Sequence, residues 1–226
     1  MTAPGVVGSW LRDRSLTLAM LALFAVCAAG QIAAGWADLN QTLEAHGRRP
    51  LALSAYVASG HLWEALFENW ESEFLQMSAF VVLSAYLLQV GSPESRRPGA
   101  FELSDADPRD HRDDPDAPWP VRRGGWVLKV YEYSLGGALF LLFLVSFAGH
   151  AVGGWVEQNA ELRLHGQAEQ ALWAYVTSSR FWFESLQNWQ SEFLSVGVMV
   201  WLAVYLRQRG SPESKPVHAP HADTGR

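Results

Sequence analysis

Cysteine is almost absent. Cys27 stands alone in 226 residues, which rules out an intrachain disulfide and leaves a small apolar helix residue as its plain reading. Absent too are a Gly-rich phosphate loop, a nucleophile elbow, zinc-ligand spacing and the carboxylate pairing of a glycosidase. The chain is therefore read as no enzyme, with no cofactor and no metal site expected. Lysine and arginine total 17 against 23 aspartates and glutamates, a formal net charge of −6, and no basic patch marks a nucleic-acid surface.

Charge is missing locally as well. Leu16–Ala37 runs 22 residues, and Tyr133–Val156 runs 24, without Asp, Glu, Lys or Arg. At ~1.5 Å per helical residue, about 20 apolar residues cross a ~30 Å hydrocarbon core. Both runs are expected to span a bilayer. Phe74–Val90 (17 residues) and Phe193–Leu206 (14) are also uncharged but short. They span if their helices begin earlier, inside the polar segment before each. The expected fold class is an all-α membrane protein with four transmembrane helices. Arg12 and Arg14 ahead of Leu16 give the first run the look of a signal peptide. Its counterpart in the middle of the chain argues for an uncleaved helix.

What is present is said twice. Ser15–Ser95 aligns with Ser134–Ser214 at a constant offset of 119 and without a gap, and nearly half of the 81 pairs are identical. Repetition of this kind is an architectural signal. Each copy has an apolar run ending in Gly-Trp (Gly35-Trp36, Gly154-Trp155). Then come His-Gly (His46-Gly47, His165-Gly166), the motif Asn-Trp-x-Ser-Glu-Phe-Leu (Asn69–Leu75, Asn188–Leu194), and a second apolar run closed by Gly-Ser-Pro-Glu-Ser. The expected organisation is two repeated helical hairpins. Residues 1–14 form a cytoplasmic tail and 15–95 the first two-helix repeat. Residues 96–125 form a flexible linker rich in Pro and Asp, 126–209 the second repeat, and 210–226 a disordered tail. Two spans per copy make the repeats parallel in the membrane, not inverted.

About 35 residues separate the apolar runs of each hairpin, too many for a simple turn. Within them Leu51–Trp63 and Ala171–Trp182 are rich in Leu, Tyr, Val and Trp and are expected as interfacial helices. Most of the 11 tryptophans are read as an interfacial belt. Near the span ends, Arg12, Arg14, Arg96, Arg97, Arg122, Arg123, Lys129, Arg207, Arg209 and Lys215 fall on one side. Arg48, Arg49, Arg163 and Arg180 fall on the other. That asymmetry places both termini in the cytoplasm.

The duplicated motif holds the candidate site. On a helix, Asn69, Glu73 and Gln76 share one face at i, i+4 and i+7, and Asn188, Glu192 and Ser195 repeat it. Ser72 and Ser191 belong to the same motif. His150 lies in the second uncharged run, where the first copy has Gln31. Three roles stay open for this set. The two glutamates form a proton or cation site, with His150–Glu192 as a relay. The polar groups hydrogen-bond between helices and hold the bundle. Or the glutamates sit near helix starts, where the dipole favours them. His46-Gly47 and His165-Gly166 mark helix ends, with glycine supplying positive φ.

Phe67–Gln76 and Arg180–Leu194, with Gly-Trp before each and Gly-Ser-Pro-Glu-Ser after, resemble a family of bacterial integral membrane proteins of unknown function. The resemblance implies a four-helix protein of the bacterial inner membrane. It implies no activity and no catalytic residue. The function expected is a non-catalytic scaffold or accessory membrane subunit. It would sit in the lipid bilayer, with loops and acidic linker meeting a protein partner or a second copy of the chain. The alternative is a small proton or cation channel or transporter using paired intramembrane glutamates.

Overall fold

The computed structural model describes residues 6–225; residues 1–5 of the expected tail and Arg226 lie outside the described residues. Among the described residues there is no strand. The helices are α1 (Val6–Asp13), α2 (Ser15–Ala45), α3 (Leu53–Val57), α4 (Gly60–Ser84), α5 (Trp119–Arg123), α6 (Gly125–Glu132), α7 (Ser134–Leu164), α8 (Leu172–Val176) and α9 (Ser179–Tyr205). Four pairs begin 119 residues apart: Val6 and Gly125, Ser15 and Ser134, Leu53 and Leu172, Gly60 and Ser179.

α2 and α7, 31 residues each, are long and apolar enough to cross a membrane. At ~1.5 Å per residue each is about 46 Å long, and both overrun their uncharged segments. Asp38–Ala45 continues α2 because Leu39 and Leu43 keep one apolar face at i and i+4, and no proline or glycine intervenes. The stop comes at Gly47 (φ 69°) and, in the second copy, Gly166 (φ 68°). His46 and His165 cap these ends as expected, each ring Nδ1 lying 2.8 Å and 2.9 Å from a carbonyl one turn back. The connection is correspondingly shorter than expected, residues 46–59 in the first copy.

α4 and α9 begin well before their apolar runs, so the whole duplicated motif is helical. The stretches expected as interfacial helices are each divided. α3 and α8 take only five residues, and the chain breaks at Ser59 and Ser178 with extended backbone. What remains forms the first turn of α4 or α9. Ser178 Oγ accepts the Phe181 N–H, satisfying one free donor of the new helix.

The repeated Gly-Trp pair has a mechanical role. Trp36 Nε1 donates to the Leu51 carbonyl (2.7 Å), and Asn40 pairs with the same residue at both N–H (2.7 Å) and C=O (3.2 Å). Trp155 and Asn159 hold Gln170 in the same way, at 2.7, 2.9 and 3.0 Å. These two indoles clamp a loop and are not free belt residues. The glycine beside each makes room for a tyrosine. A Cβ on Gly35 or Gly154 would collide with the hydroxyl of Tyr56 or Tyr175.

α4 and α7, one from each copy, pack backbone to backbone and antiparallel. A Cβ on Gly153 would come within 2.7 Å of the Glu64 nitrogen, and one on Gly60 within 2.7 Å of the Glu157 nitrogen. Gly149 faces the Phe67 ring, and Ser78 Oγ donates to the Gly136 carbonyl at the other end (3.2 Å). Gly149 and Gly153 make a small-xxx-small pair, the arrangement that lets helices approach closely. α4 also lies alongside α9 in parallel, joined by Asn188–Glu68 and Trp189–Glu71. α9 meets α7 through rings, Phe147 on Phe181 and Phe143 on Trp189. A two-fold arrangement would pair α2 with α9 as α4 pairs with α7. No comparable packing occurs there, and α2 buries none of its residues.

Between Ser84 and Trp119 the chain has two short 3-10 turns (Leu103–Asp105, Pro108–His111) and no longer element. Beyond Tyr205 it returns on itself. Buried Lys215 donates to the carbonyls of Pro220, His221 and Asp223, and Thr224 Oγ1 accepts from Gly91 N–H (2.8 Å).

Candidate functional site

The close approach of α4 to α7 brings carboxylates against a histidine. Glu71 and His150 are both fully buried. His150 Nδ1 lies 3.1 Å from Glu71 Oε2, and the other oxygen, Oε1, accepts the Trp189 indole N–H at 3.1 Å. With Glu71 as a carboxylate, Nδ1 donates its proton to Oε2, and Nε2 is the ring atom left for a second partner. Nε2 faces Glu184 Oε2 at 3.8 Å and is left without a hydrogen-bond partner although buried. The Phe181 ring lies against the imidazole, with centroids 4.8 Å apart.

Around this pair stand three more carboxylates. Glu184 is held on its Oε1 by Arg180 Nε (2.9 Å) and on its Oε2 by the Tyr175 hydroxyl (3.1 Å). The same hydroxyl lies 3.4 Å from Glu64 Oε1. Burial first, then the nearby Glu64 and Glu184 carboxylates, push the Tyr175 phenol above its ordinary range, so it stays a donor. Asn188 Nδ2 donates to Glu68 Oε1 at 2.6 Å. Arg180 is shared outward, with Glu161 (2.6 Å) and Gln158 (2.5 Å).

A cleft of about 1170 Å³ opens beside this cluster, between the ends of α2 and α7 and the starts of α4 and α9. Glu64 and Arg180 are in its wall. His46 and His165 are at its rim, their rings edge to face with centroids 5.7 Å apart. A second cleft of about 1440 Å³ lies at the opposite end of α4 and α7 and reaches Gly136. Buried Ser72 and Ser78 mark α4 between the two.

Of the residues expected at the site, the structure brings His150 and Asn188 into the cluster and leaves the others out. Asn69 is exposed and its amide donates to its own helix at Ala65. Ser72 and Ser191 donate back to Asn69 and Asn188. Glu73 is exposed and Glu192 half-exposed, near enough to repel each other, and neither touches His150. Gln76 is half-buried. The contact that a His150–Glu192 relay would need is therefore absent among the described residues, and His150 meets Glu71 and Glu184 instead. The physical reason is helix rotation. The tight face of α4 is the one carrying Gly60, Glu64 and Phe67, and Glu71 continues it. Glu73 points elsewhere.

Glu64, Glu68 and Glu71 had a signal in the sequence, since they also stand at i, i+4 and i+7. They do not recur. Their counterparts at offset 119 are Phe183, Gln187 and Gln190, while Glu184 matches Ala65 and His150 matches Gln31. The charged cluster is built from positions where the two copies differ, and attention to the shared motif passes over them.

Fold and site together define an all-helical protein with two helices of membrane-crossing length and a buried carboxylate–histidine cluster where its two halves meet. Residues 7–226 match the family described as a domain of unknown function (DUF6766), and the chain belongs to that family. No curated protein and no solved structure matches it.

Proposed function

We propose that the chain is a four-span protein of the bacterial inner membrane, with both termini cytoplasmic, that takes cations from the outer cleft into the Glu64/Glu68/Glu71/Glu184/His150 cluster and passes them inward. α2, α4, α7 and α9 are the spans, as two repeated hairpins. The equal spacing of helix starts and the ten-to-four basic asymmetry support this topology.

One observation carries the functional reading: four carboxylates gather around His150, with Arg180 as the one guanidinium paired with them among the described residues, and Glu71 is wholly buried. Buried charge of one sign is costly in a bilayer, about 2.5–3.5 kcal/mol per group even on insertion scales. Cations entering the cluster offset that cost, and such residues commonly mark ion pathways. The two clefts supply approaches from both ends. On α4 one cleft reaches Glu64 and the other Val81, about 25 Å apart along the helix, with Glu71 and Ser78 between them.

The scaffold or accessory role is the competing outcome of one experiment. The full chain is reconstituted in liposomes containing a pH-sensitive dye or a cation-sensitive dye. Flux in the wild type that Glu71→Gln abolishes, with insertion intact, is the expected result. Absence of flux in the wild type, with a membrane partner recovered in mild detergent, would replace transport by the accessory role. Reporter fusions after Gly99 and His218 should read cytoplasmic and one after Arg48 external. An external reading after Gly99 overturns the topology.

A further inference from the structure

We propose that Glu64, Glu184 and His150 Nε2 are the protein ligands of a first-row divalent cation of the zinc type. This names the cation for the acidic cluster and rests on that cluster taking cations.

The three side chains present ligand atoms that all lie within 4.8 Å of one another. They come from three helices, α4, α7 and α9, so no spacing motif in the sequence announces them. Acidic groups alone would not define a site. The imidazole does: it is fully buried, and its Nε2 has no hydrogen-bond partner among the described residues while facing Glu184 Oε2 at 3.8 Å. A buried ring nitrogen without a hydrogen-bond partner, set between two carboxylates, suits a metal ion there.

The surroundings match what metal-bound histidines require. A ligating imidazole usually donates its other N–H to a carboxylate, which fixes the tautomer and the ring orientation. Glu71 occupies that place at 3.1 Å and is itself held by Trp189. Tyr175 donates to Glu184 and lies within 3.4 Å of Glu64, and Arg180 takes only Glu184 Oε1, leaving Oε2 toward the site. Gly154 leaves the space that Tyr175 and Glu64 fill.

Donor chemistry selects the ion. One imidazole and two carboxylates suit zinc and its neighbours, with water completing a tetrahedron. Calcium takes six to eight oxygens, and magnesium keeps an octahedral, largely hydrated shell. Metal–ligand bonds of about 2.0–2.2 Å place tetrahedral ligand atoms about 3.4 Å apart, so binding draws the two carboxylates inward by side-chain rotation. Glu64 lines the outer cleft, which gives the ion its entry.

The test uses the full chain in detergent or nanodiscs, stripped with a chelator and titrated with Zn²⁺ against a chromogenic chelator. The expected result is a single zinc per chain. Glu64→Gln, Glu184→Gln and His150→Gln should each weaken it at least 100-fold, and Glu71→Gln by about 10–100-fold. Glu192→Gln, outside the cluster, should bind as the wild type does. Should a cluster variant fail to insert, Co²⁺ added to the wild type decides. An intense visible band of tetrahedral cobalt supports the site, and the weak octahedral spectrum overturns it. Zinc retained by all three folded ligand variants would place binding elsewhere, at the His46/His165 rim or the tail histidines, and overturn the proposal. So would no binding by wild type. Flux without zinc binding rejects zinc and leaves the cation pathway. Zinc binding without flux leaves the site and rejects transport.

Discussion

Glu71 shows how much one side chain can organise. Its two oxygens are assigned separately, one to the imidazole of α7 and one to the indole of α9. It therefore ties together three helices at a point with no access to water. Removing one donor leaves a buried carboxylate oxygen unsatisfied, which costs about 1–3 kcal/mol. Trp189→Phe keeps the ring contact with Phe143 but removes the N–H. It should destabilise the detergent-solubilised chain by that amount, read as a lower thermal midpoint, and an unchanged midpoint would mean Oε1 finds another donor. Trp182→Phe is the comparison, since no hydrogen bond is made by its indole nitrogen among the described contacts of the cluster. The neighbouring motif residue Glu73 shares none of this, being exposed. A shift of two residues along one helix separates the buried member of the site from the residue the motif emphasises.

Among the elements, α4 and α7 decide the rest. Their glycines permit the backbone contact that puts Glu71 on His150, whereas on α2 Gly30 meets nothing and the counterpart of Gly153 is Ala34. Gly149 and Gly30 occupy the same place in the two copies, 119 apart. A Cβ at 149 would lie 2.5 Å from the Phe67 ring, whereas one at 30 has nothing within 4 Å. Gly149→Ala should therefore destabilise by about 1–3 kcal/mol through overpacking. Gly30→Ala should be neutral or gain up to about 1 kcal/mol from helix propensity. Thermal unfolding of the two variants side by side measures the difference, and equal effects would mean α2 packs as α7 does. The two long apolar helices and the glycines that end them are legible in the sequence because composition and φ preference are local. The true starts of α4 and α9 are not, since polar residues at a helix start look like loop until a partner helix claims them. The crossing is half legible: Gly149-x-x-x-Gly153 is a spacing anyone can read, but which helix fills it is a tertiary fact. Of the carboxylate–histidine cluster only the Glu64, Glu68 and Glu71 spacing on α4 can be read locally, because the other members come from two further helices.

The molecule as a whole uses its repeat unequally. α4 and α9 run side by side, α7 closes on α4, and α2 stays at the edge with its apolar surface uncovered. The scaffold is given twice, but the acidic cluster is made once. In a bilayer the α2 surface meets lipid, and Cys27, exposed on that helix, reports on it. A charged, membrane-impermeant maleimide should leave Cys27 unmodified in intact vesicles and open vesicles alike, and should label it after denaturation in SDS. Labelling in open vesicles would put α2 against water and remove it from the spans.

The loop clamps carry a consequence for variation. Trp36 with Asn40, and Trp155 with Asn159, grip the main chain of residues 51 and 170 and ignore what is attached to it. The two copies already exploit that indifference, placing leucine in one grip and glutamine in the other. Leu51 lines the cleft beside the cluster. The wall of that cleft can thus exchange greasy for polar, or neutral for charged, without disturbing the short helix hung from the same loop. The lining of the cleft is left free to drift while the frame stays put.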